Sequence, residues 1–125
     1  MNNLFLKIKQ RVQRHQPSIV FPESLDHRVL ESVSFLSNEN ILTPILIGNE
    51  ERITAELIQL GIKLKKWIVY DPGSFPGLHK WASALVERRK GQISAEAAYR
   101  YLLDENYFGT MLVFMGKADG LVSGA

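Results

Sequence analysis

Cysteine is absent from the 125 residues of this chain. Disulfides, thiolate catalysis and cysteine-based zinc sites are therefore excluded. Small secreted domains usually depend on disulfides, so the absence favours a cytoplasmic protein. The first ten residues contain neither an unbroken apolar stretch nor a small-residue cleavage site, and we expect no signal peptide. No apolar run approaches the ~20 residues needed to span a bilayer, so no membrane partner is expected.

Neither positive nor negative residues are in large excess. The 15 lysines and arginines are offset by 13 acidic residues, which leaves a net charge of +2. A nucleic-acid-binding protein would concentrate its basic residues on one face or in one run, so no nucleic-acid partner is expected. A small anionic ligand such as phosphate fits the balance equally well. Walker, dinucleotide-binding and zinc-protease motifs are missing, and the three scattered histidines, His15, His27 and His79, predict no metal site.

Apolar and turn-forming segments follow one another in a regular order. Hydrophobic residues make up 46% of the chain and charged residues 22%, which is typical of one ordinary globular domain. The pattern predicts strands at residues 18–21, 43–47, 67–70 and 119–123, and helices around residues 4–12, 29–36, 53–60, 79–90, 94–103 and 107–115. This alternation predicts a three-layer α/β/α fold with a mostly parallel sheet.

The first predicted helix is amphipathic. Leu4, Phe5, Ile8 and Val12 recur at helical spacing, and basic residues lie between them. We interpret the segment as a surface helix that packs on the domain through this apolar stripe.

Ligands of parallel α/β sheets bind beyond the carboxyl ends of the strands, which here directs attention to residues 22–28, 71–77 and 123–125. In the first segment, Ser24 or Asp26 is predicted to cap the following helix. Arg28 adds a bidentate donor suited to phosphate, at a helix end that favours anions. The competing interpretation is capping alone, with Arg28 in solvent.

Two further segments carry candidate binding residues. Arg88, Arg89 and Lys90 end a helix, where the helix dipole alone favours cations; phosphate or nucleotide binding is the competing use. Ser123 and Gly124 offer a hydroxyl and a permissive backbone at a strand end, where a phosphate or acyl group can bind.

These landmarks, taken in order, resemble the phosphate acetyltransferase family, whose relatives include phosphate butyryltransferases. The resemblance covers nearly the whole chain, and its residues are 21–23 (FPE) with Asp26 and Arg28, 46–49 (LIGN), 71–72 (DP), 87–91 (ERRKG), 106–111 (NYFGTM), 115–116 (MG) and 118–125 (ADGLVSGA). The last three segments are the most specific.

The resemblance implies a two-domain α/β enzyme with an isocitrate/isopropylmalate dehydrogenase-like layout and an active site in the interdomain cleft. It implies that residues 1–125 are the amino-terminal part of the first domain, with the second domain absent. The family transfers an acetyl group between coenzyme A and inorganic phosphate, commonly as a homodimer. It uses no metal or other cofactor; coenzyme A and acetyl phosphate are substrates. A carboxylate deprotonates the coenzyme A thiol, and arginines and N–H groups stabilise the developing charge.

By position, Arg28 and Arg88 match family arginines tied to coenzyme A binding and catalysis, although the local register equally places Arg89 at the second position. Ser123 and Gly124 complete the predicted substrate-binding set. No catalytic residue is assigned within this segment apart from Arg88 as a candidate. The family's catalytic base, its serine–arginine pair and another arginine are expected beyond Ala125. Residues 1–125 alone are therefore predicted to be inactive, because the cleft is incomplete.

Three alternatives remain open from the sequence. A phosphate butyryltransferase differs in acyl-pocket residues, and the 107–110 pattern (YFGT) favours the acetyl enzyme. A non-catalytic module that senses phosphate or acyl-CoA belongs to a different class of protein. A purely structural segment, stable only with its missing half, would expose apolar faces.

Overall fold

The computed structural model describes residues 3–124, without the side chains of Phe5, Lys9 and Val12. The helices are α1 (Asn3–His15), α2 (His27–Asn38), α3 (Glu50–Gln59), α4 (Leu78–Arg88), α5 (Ala95–Leu102) and α6 (Glu105–Phe114), and the strands are β1 (Ser18–Phe21), β2 (Thr43–Ile47), β3 (Ile68–Tyr70) and β4 (Gly120–Leu121). A short 3₁₀ turn, Pro72–Ser74, follows β3. Within these residues no helix is long and apolar enough to cross a membrane.

The four strands form one parallel sheet in the order β3-β2-β1-β4. The predicted fold class, a parallel α/β sheet flanked by helices, is confirmed. The predicted fourth strand, residues 119–123, is too long, because only Gly120 and Leu121 pair with β1, opposite Ile19 and Val20. The Val122 N–H still donates to the Val20 carbonyl at 2.9 Å, and Ser123 and Gly124 then contact Glu23 in the loop that follows β1.

Alternating side chains of the central strands divide the core into two layers. Val20, Ile45 and Ile47 face helices α4, α5 and α6. Their neighbours Phe21 and Leu46 face α2 and α3 on the opposite side. All five residues of β2 are buried, as expected for a parallel strand covered on both faces. Complete burial of one valine, leucine, isoleucine or phenylalanine side chain stabilises the folded state by about 1.5–3 kcal/mol.

An aromatic cluster centres on Phe108 of α6, whose side chain is completely buried. Its ring centroid lies 5.3 Å from that of Phe75 and 5.5 Å from that of Trp81. The next residue, Gly109, faces the sheet, and a Cβ atom there would lie 2.9 Å from Val20 Cγ1. Glycine therefore allows α6 to approach β1 directly.

Helix α1 differs from its predicted packing. It forms at the expected place, but Leu4 and Ile8 of the predicted apolar stripe are 62% and 54% exposed. The prediction that this stripe packs on the domain is therefore wrong for these two residues; the side chains of Phe5 and Val12 lie outside the described part. At the carboxyl end of the helix, Gln13 Nε2 donates a hydrogen bond of 2.7 Å to the Glu39 carbonyl.

Candidate functional site

The loops after β1 and β4 meet at the carboxyl edge of the sheet, because these two strands are neighbours. Ser123 Oγ lies 2.8 Å from Glu23 Oε1 and 2.9 Å from Asn106 Oδ1. The Gly124 N–H donates to the same Glu23 oxygen at 3.0 Å. Three segments, the β1–α2 loop, the first turn of α6 and the chain after β4, are thus joined around one serine hydroxyl.

A cavity of about 290 Å³ opens beside this junction. It is lined by Phe21, Glu23, Arg28, Val29, Ser32, Val122, Ser123 and Gly124. Three of the four predicted binding residues, Arg28, Ser123 and Gly124, therefore lie around one cavity. Its wall combines apolar side chains with a guanidinium, a carboxylate and a hydroxyl, which suits a ligand that has an anionic and an apolar part.

Asp26 caps α2 and also binds the Arg28 side chain. Its carboxylate accepts from the Arg28 backbone N–H at 2.9 Å and from the Val29 N–H at 3.4 Å. Arg28 Nη2 donates to Asp26 Oδ2 at 3.2 Å. This side-chain hydrogen bond is the main reason why the pKa of Asp26 is lowered and that of Arg28 is raised. Capping of α2, which the sequence offered as the competing interpretation, is thus present, and the exposed Arg28 side chain also pairs with the capping carboxylate.

The consequence is that the amino terminus of α2 is already occupied by a carboxylate. An anion in the cavity would meet Arg28 rather than these backbone N–H groups. The guanidinium is well placed for this, because its side chain is 76% exposed and it uses only Nε and Nη2 towards Asp26.

Ser24, the other predicted cap, has a different role. Its side chain is buried, donates to the Phe21 carbonyl at 2.7 Å and accepts from the Ile47 N–H at 2.8 Å. It therefore connects the carboxyl ends of β1 and β2. Of the two predicted alternatives, Asp26 is therefore the cap of α2, because the strand end offers Ser24 two buried backbone partners.

The third predicted segment, residues 71–77, does not line this cavity. It follows β3, which is separated from β4 by β2 and β1. Asp71 Oδ1 accepts from the Gly73 N–H at 3.1 Å, and Phe75 packs edge-on against Tyr70. The segment thus contributes a capped turn and part of the aromatic cluster.

Arg88, the fourth predicted binding residue, lies at a second cavity, between α4 and α6. The Arg88 guanidinium carbon is 3.9 Å from the centre of the Phe114 ring, and Arg89 Nη2 donates to the Tyr107 hydroxyl at 2.6 Å. This cavity of about 190 Å³ is lined by Leu85, Arg88, Arg89, Tyr107, Thr110, Met111 and Phe114. Helix α6 connects the two cavities, since Asn106 contacts Ser123 and the adjacent Tyr107 contacts Arg89.

The histidines lie away from both cavities. His15 and His79 are exposed, as predicted, and the ring of His79 stacks on that of Tyr99 at 4.6 Å. His27 Nε2 lies 3.0 Å from Glu56 Oε2. Between residues 3 and 124, no group of three or more histidine, aspartate or glutamate side chains is arranged to hold a metal ion.

Glu23 and Asn106 are the site residues that the sequence did not single out. Both lie in the quoted landmarks, residues 21–23 and 106–111, but their contact with Ser123 spans 100 and 17 residues. The adjacency of β1 and β4 brings Glu23 to Ser123, and the packing of α6 beside β4 brings Asn106 there.

The sequence and the fold both match known acyltransferases. The family model described as phosphate acetyl/butaryl transferase matches residues 3–125. The chain is 50% identical over 125 residues to the phosphate acetyltransferase of Bacillus subtilis (strain 168), covering 100% of this chain and 39% of that protein. It is 38% identical to a phosphate acetyltransferase of Staphylococcus epidermidis, again over 100% of this chain and 38% of the relative.

Two solved structures resemble the fold closely. A phosphotransacetylase from Streptococcus pyogenes superposes with a TM-score of 0.89 at 38% identity, over 100% of this chain and 39% of that one. EutD phosphotransacetylase from Staphylococcus aureus gives a TM-score of 0.86 at 36% identity, over 98% of this chain and 37% of that one.

A parallel α/β domain of this kind is thus found in proteins named phosphate acetyltransferase and phosphotransacetylase. The chain belongs to the phosphate acetyl/butaryl transferase family. It spans about two fifths of the length of the curated relatives it matches.

Proposed function

We propose that the whole protein transfers an acetyl group between coenzyme A and inorganic phosphate, and that residues 1–125 supply part of the substrate-binding wall. The observation that carries this proposal is the 50% identity, across the whole of this chain, to a protein named phosphate acetyltransferase. The edge cavity supports it, because Arg28, Ser123 and Gly124 meet there.

Arg28 is the residue we assign to anion binding in this cavity. It is exposed, and its pairing with Asp26 fixes one edge of the guanidinium while leaving Nη1 for a phosphate oxygen. Ser123 and Gly124 form the facing wall, where the glycine lets a substrate group approach the backbone closely.

Arg88 is assigned to a second contact with coenzyme A, in the cavity between α4 and α6. Its guanidinium stacks on the exposed Phe114 ring, which leaves the N–H edges for an anion. Arg89 is already bonded to the Tyr107 hydroxyl. This difference favours Arg88 over Arg89 as the ligand-binding residue of the pair.

The remaining parts of the proposal are inherited from the family resemblance. The catalytic base and the second domain lie outside this chain, the protein acts as a homodimer in the cytoplasm, and no cofactor besides the substrate coenzyme A takes part. The acetyl enzyme is favoured over a butyryltransferase because both curated relatives described above are named phosphate acetyltransferase.

The test is phosphate-dependent release of the coenzyme A thiol from acetyl-CoA by the protein at its native length. Butyryl-CoA serves as the competing substrate. We expect kcat/KM to be at least ten times higher with acetyl-CoA. Faster turnover of butyryl-CoA would overturn the acetyl assignment, and no turnover of either would overturn the enzymatic proposal.

The two arginines are tested in the same assay. Arg28→Ala and Arg88→Ala should each lower kcat/KM by about 10- to 100-fold, the usual effect of removing a hydrogen bond to a charged group. Arg11→Ala, on exposed α1, is the matched control and should leave kcat/KM unchanged. A larger loss with Arg89→Ala than with Arg88→Ala would reverse the assignment of that pair.

A further inference from the structure

The chain that follows β4 is hydrogen-bonded to the Glu23 carboxylate, so two of its donors are not free to bind an anion. These two donors, the Ser123 hydroxyl and the Gly124 N–H, lie within 3.0 Å of Glu23 Oε1. A phosphate bound through the same two donors would have to displace Glu23 and would be repelled by its negative charge. These donors therefore belong to the protein's own hydrogen-bond network in this structure.

The network connects distant parts of the chain. Glu23 lies in the loop that leads to α2, whose first turn carries Arg28, and Ser123 and Gly124 form the opposite wall of the same cavity. Asn106 reaches Ser123 from the first turn of α6. Together with the Val122 N–H, which donates to the Val20 carbonyl at 2.9 Å, this carboxylate oxygen holds the Ser123 wall of the cavity next to the loop that follows β1.

The single hydrogen of the Ser123 hydroxyl indicates how this group is hydrogen-bonded to Glu23 and Asn106. The serine hydroxyl has one hydrogen, yet it lies between two acceptor oxygens, Glu23 Oε1 and Asn106 Oδ1. Turning the Asn106 amide by 180° places its nitrogen next to Ser123 Oγ, and every group then has a partner: the amide donates to the hydroxyl and the hydroxyl donates to Glu23.

We infer that Glu23 is a positioning residue of the acyl-transfer site, which holds the Val122–Gly124 segment in place through the Ser123 hydroxyl and the Gly124 N–H. The inference rests on the proposed function, because the segment matters only if the cavity binds the transferred group or its phosphate. Glu23 lines the cavity, and the role we assign to it is exerted through Ser123 and Gly124.

The first experiment measures kcat and KM for phosphate and acetyl-CoA with Glu23→Ala and Glu23→Gln in the protein at its native length. Glu23→Ala should lower kcat/KM by about 10- to 100-fold, because two hydrogen bonds to a charged group are lost. Glu23→Gln keeps an acceptor oxygen in place and should restore most of that loss. Glu51→Ala, an exposed glutamate in the first turn of α3, is the matched control and should behave as the parent.

A decrease in KM for phosphate would indicate a different role for Glu23. If Glu23 instead occupied an anion site that phosphate must enter, both Glu23 variants would lower KM for phosphate. That outcome would overturn the positioning role. A lower melting temperature with unchanged kcat/KM would also overturn it, since Glu23 would then be merely structural.

A double-mutant cycle tests whether Glu23 acts through Ser123. Glu23→Ala and Ser123→Ala remove the same hydrogen bond, so the double variant should lose less activity than the product of the two single losses. Ser83→Ala, at an exposed serine of α4, replaces Ser123→Ala in the control cycle and should combine with Glu23→Ala multiplicatively. Multiplicative losses in the first cycle would contradict coupling through Ser123.

A measurement independent of activity separates this inference from the proposed function. The Gly124 amide should exchange with solvent deuterium at least ten times faster in Glu23→Ala, because its acceptor is gone. Unchanged exchange would overturn the inference even if acyl transfer is observed. If the parent shows no acyl transfer, the proposed function fails, and the positioning role fails with it whatever the exchange data show about the hydrogen bond.

Discussion

Single polar side chains set the geometry of the carboxyl edge of the sheet. Asp26 is held by backbone N–H groups and by Arg28, and Ser24 joins two strand ends. The Asp26 cap follows from local sequence, because its partners are two and three residues away. The role of Ser24 does not follow from local sequence, because the N–H that it accepts belongs to Ile47, 23 residues further on and on another strand.

Replacing Ser24 by alanine should destabilise the fold. The Ile47 N–H would lose its partner in a buried place, which costs about 1–3 kcal/mol. Chemical denaturation of the two proteins measures this loss. Ser83→Ala, in which an exposed hydroxyl is removed, should change stability by less than about 0.5 kcal/mol. Equal effects of the two substitutions would contradict the bridging role of Ser24.

At the scale of elements, helix α6 links the core to both cavities. Its inner face contributes Phe108 and Gly109 to the core, while Asn106 and Tyr107 lie towards the two cavities. The sequence predicts a buried helix over residues 107–115, and the structure begins it two residues earlier, after the Asp104 cap. The sequence does not predict the exposed side of this segment, because Phe114 and the adjacent Met115 are apolar yet 50% and 37% exposed.

Gly109→Ala tests how closely α6 must approach the sheet. The added methyl group would lie 2.9 Å from Val20 Cγ1 and 3.0 Å from Leu121 Cδ1, and Val20 is a rigid, fully buried residue of a central strand. We expect a net loss of about 1–2 kcal/mol, because the steric cost exceeds the higher helix propensity of alanine. Denaturant unfolding provides the measurement.

Thr110→Ala is the control on the exposed side of the same helix, and it should leave stability nearly unchanged. A stabilised Gly109→Ala variant would indicate that α6 can move away from β1 without loss.

At the scale of the whole molecule, strand order decides which predicted residues meet. The sequence locates all four strands and the carboxyl ends of the first three, and so predicts where a ligand site should lie. The strand order β3-β2-β1-β4 could not be predicted from the sequence. This order brings residues 22–28 next to Ser123 and leaves residues 71–77 away from the cavity. Register between β1 and β4 depends on packing across 100 residues, so the contact of Glu23 with Ser123 could not be predicted.

The two cavities supply only part of the acyl-transfer site that we propose. Arg28 and Arg88 offer cationic contacts, but the proposed mechanism also needs a base for the coenzyme A thiol, which we expect outside this chain. The chain spans about two fifths of its curated relatives, which agrees with this division.

Thiol release from acetyl-CoA, compared between residues 1–125 and the protein at its native length, tests this division most directly. Both are assayed with saturating phosphate, and circular dichroism first establishes that the shorter chain is folded. The account predicts turnover by the native-length protein and none by residues 1–125. Turnover by the folded 125-residue chain would contradict it, because the site would then be complete within these residues.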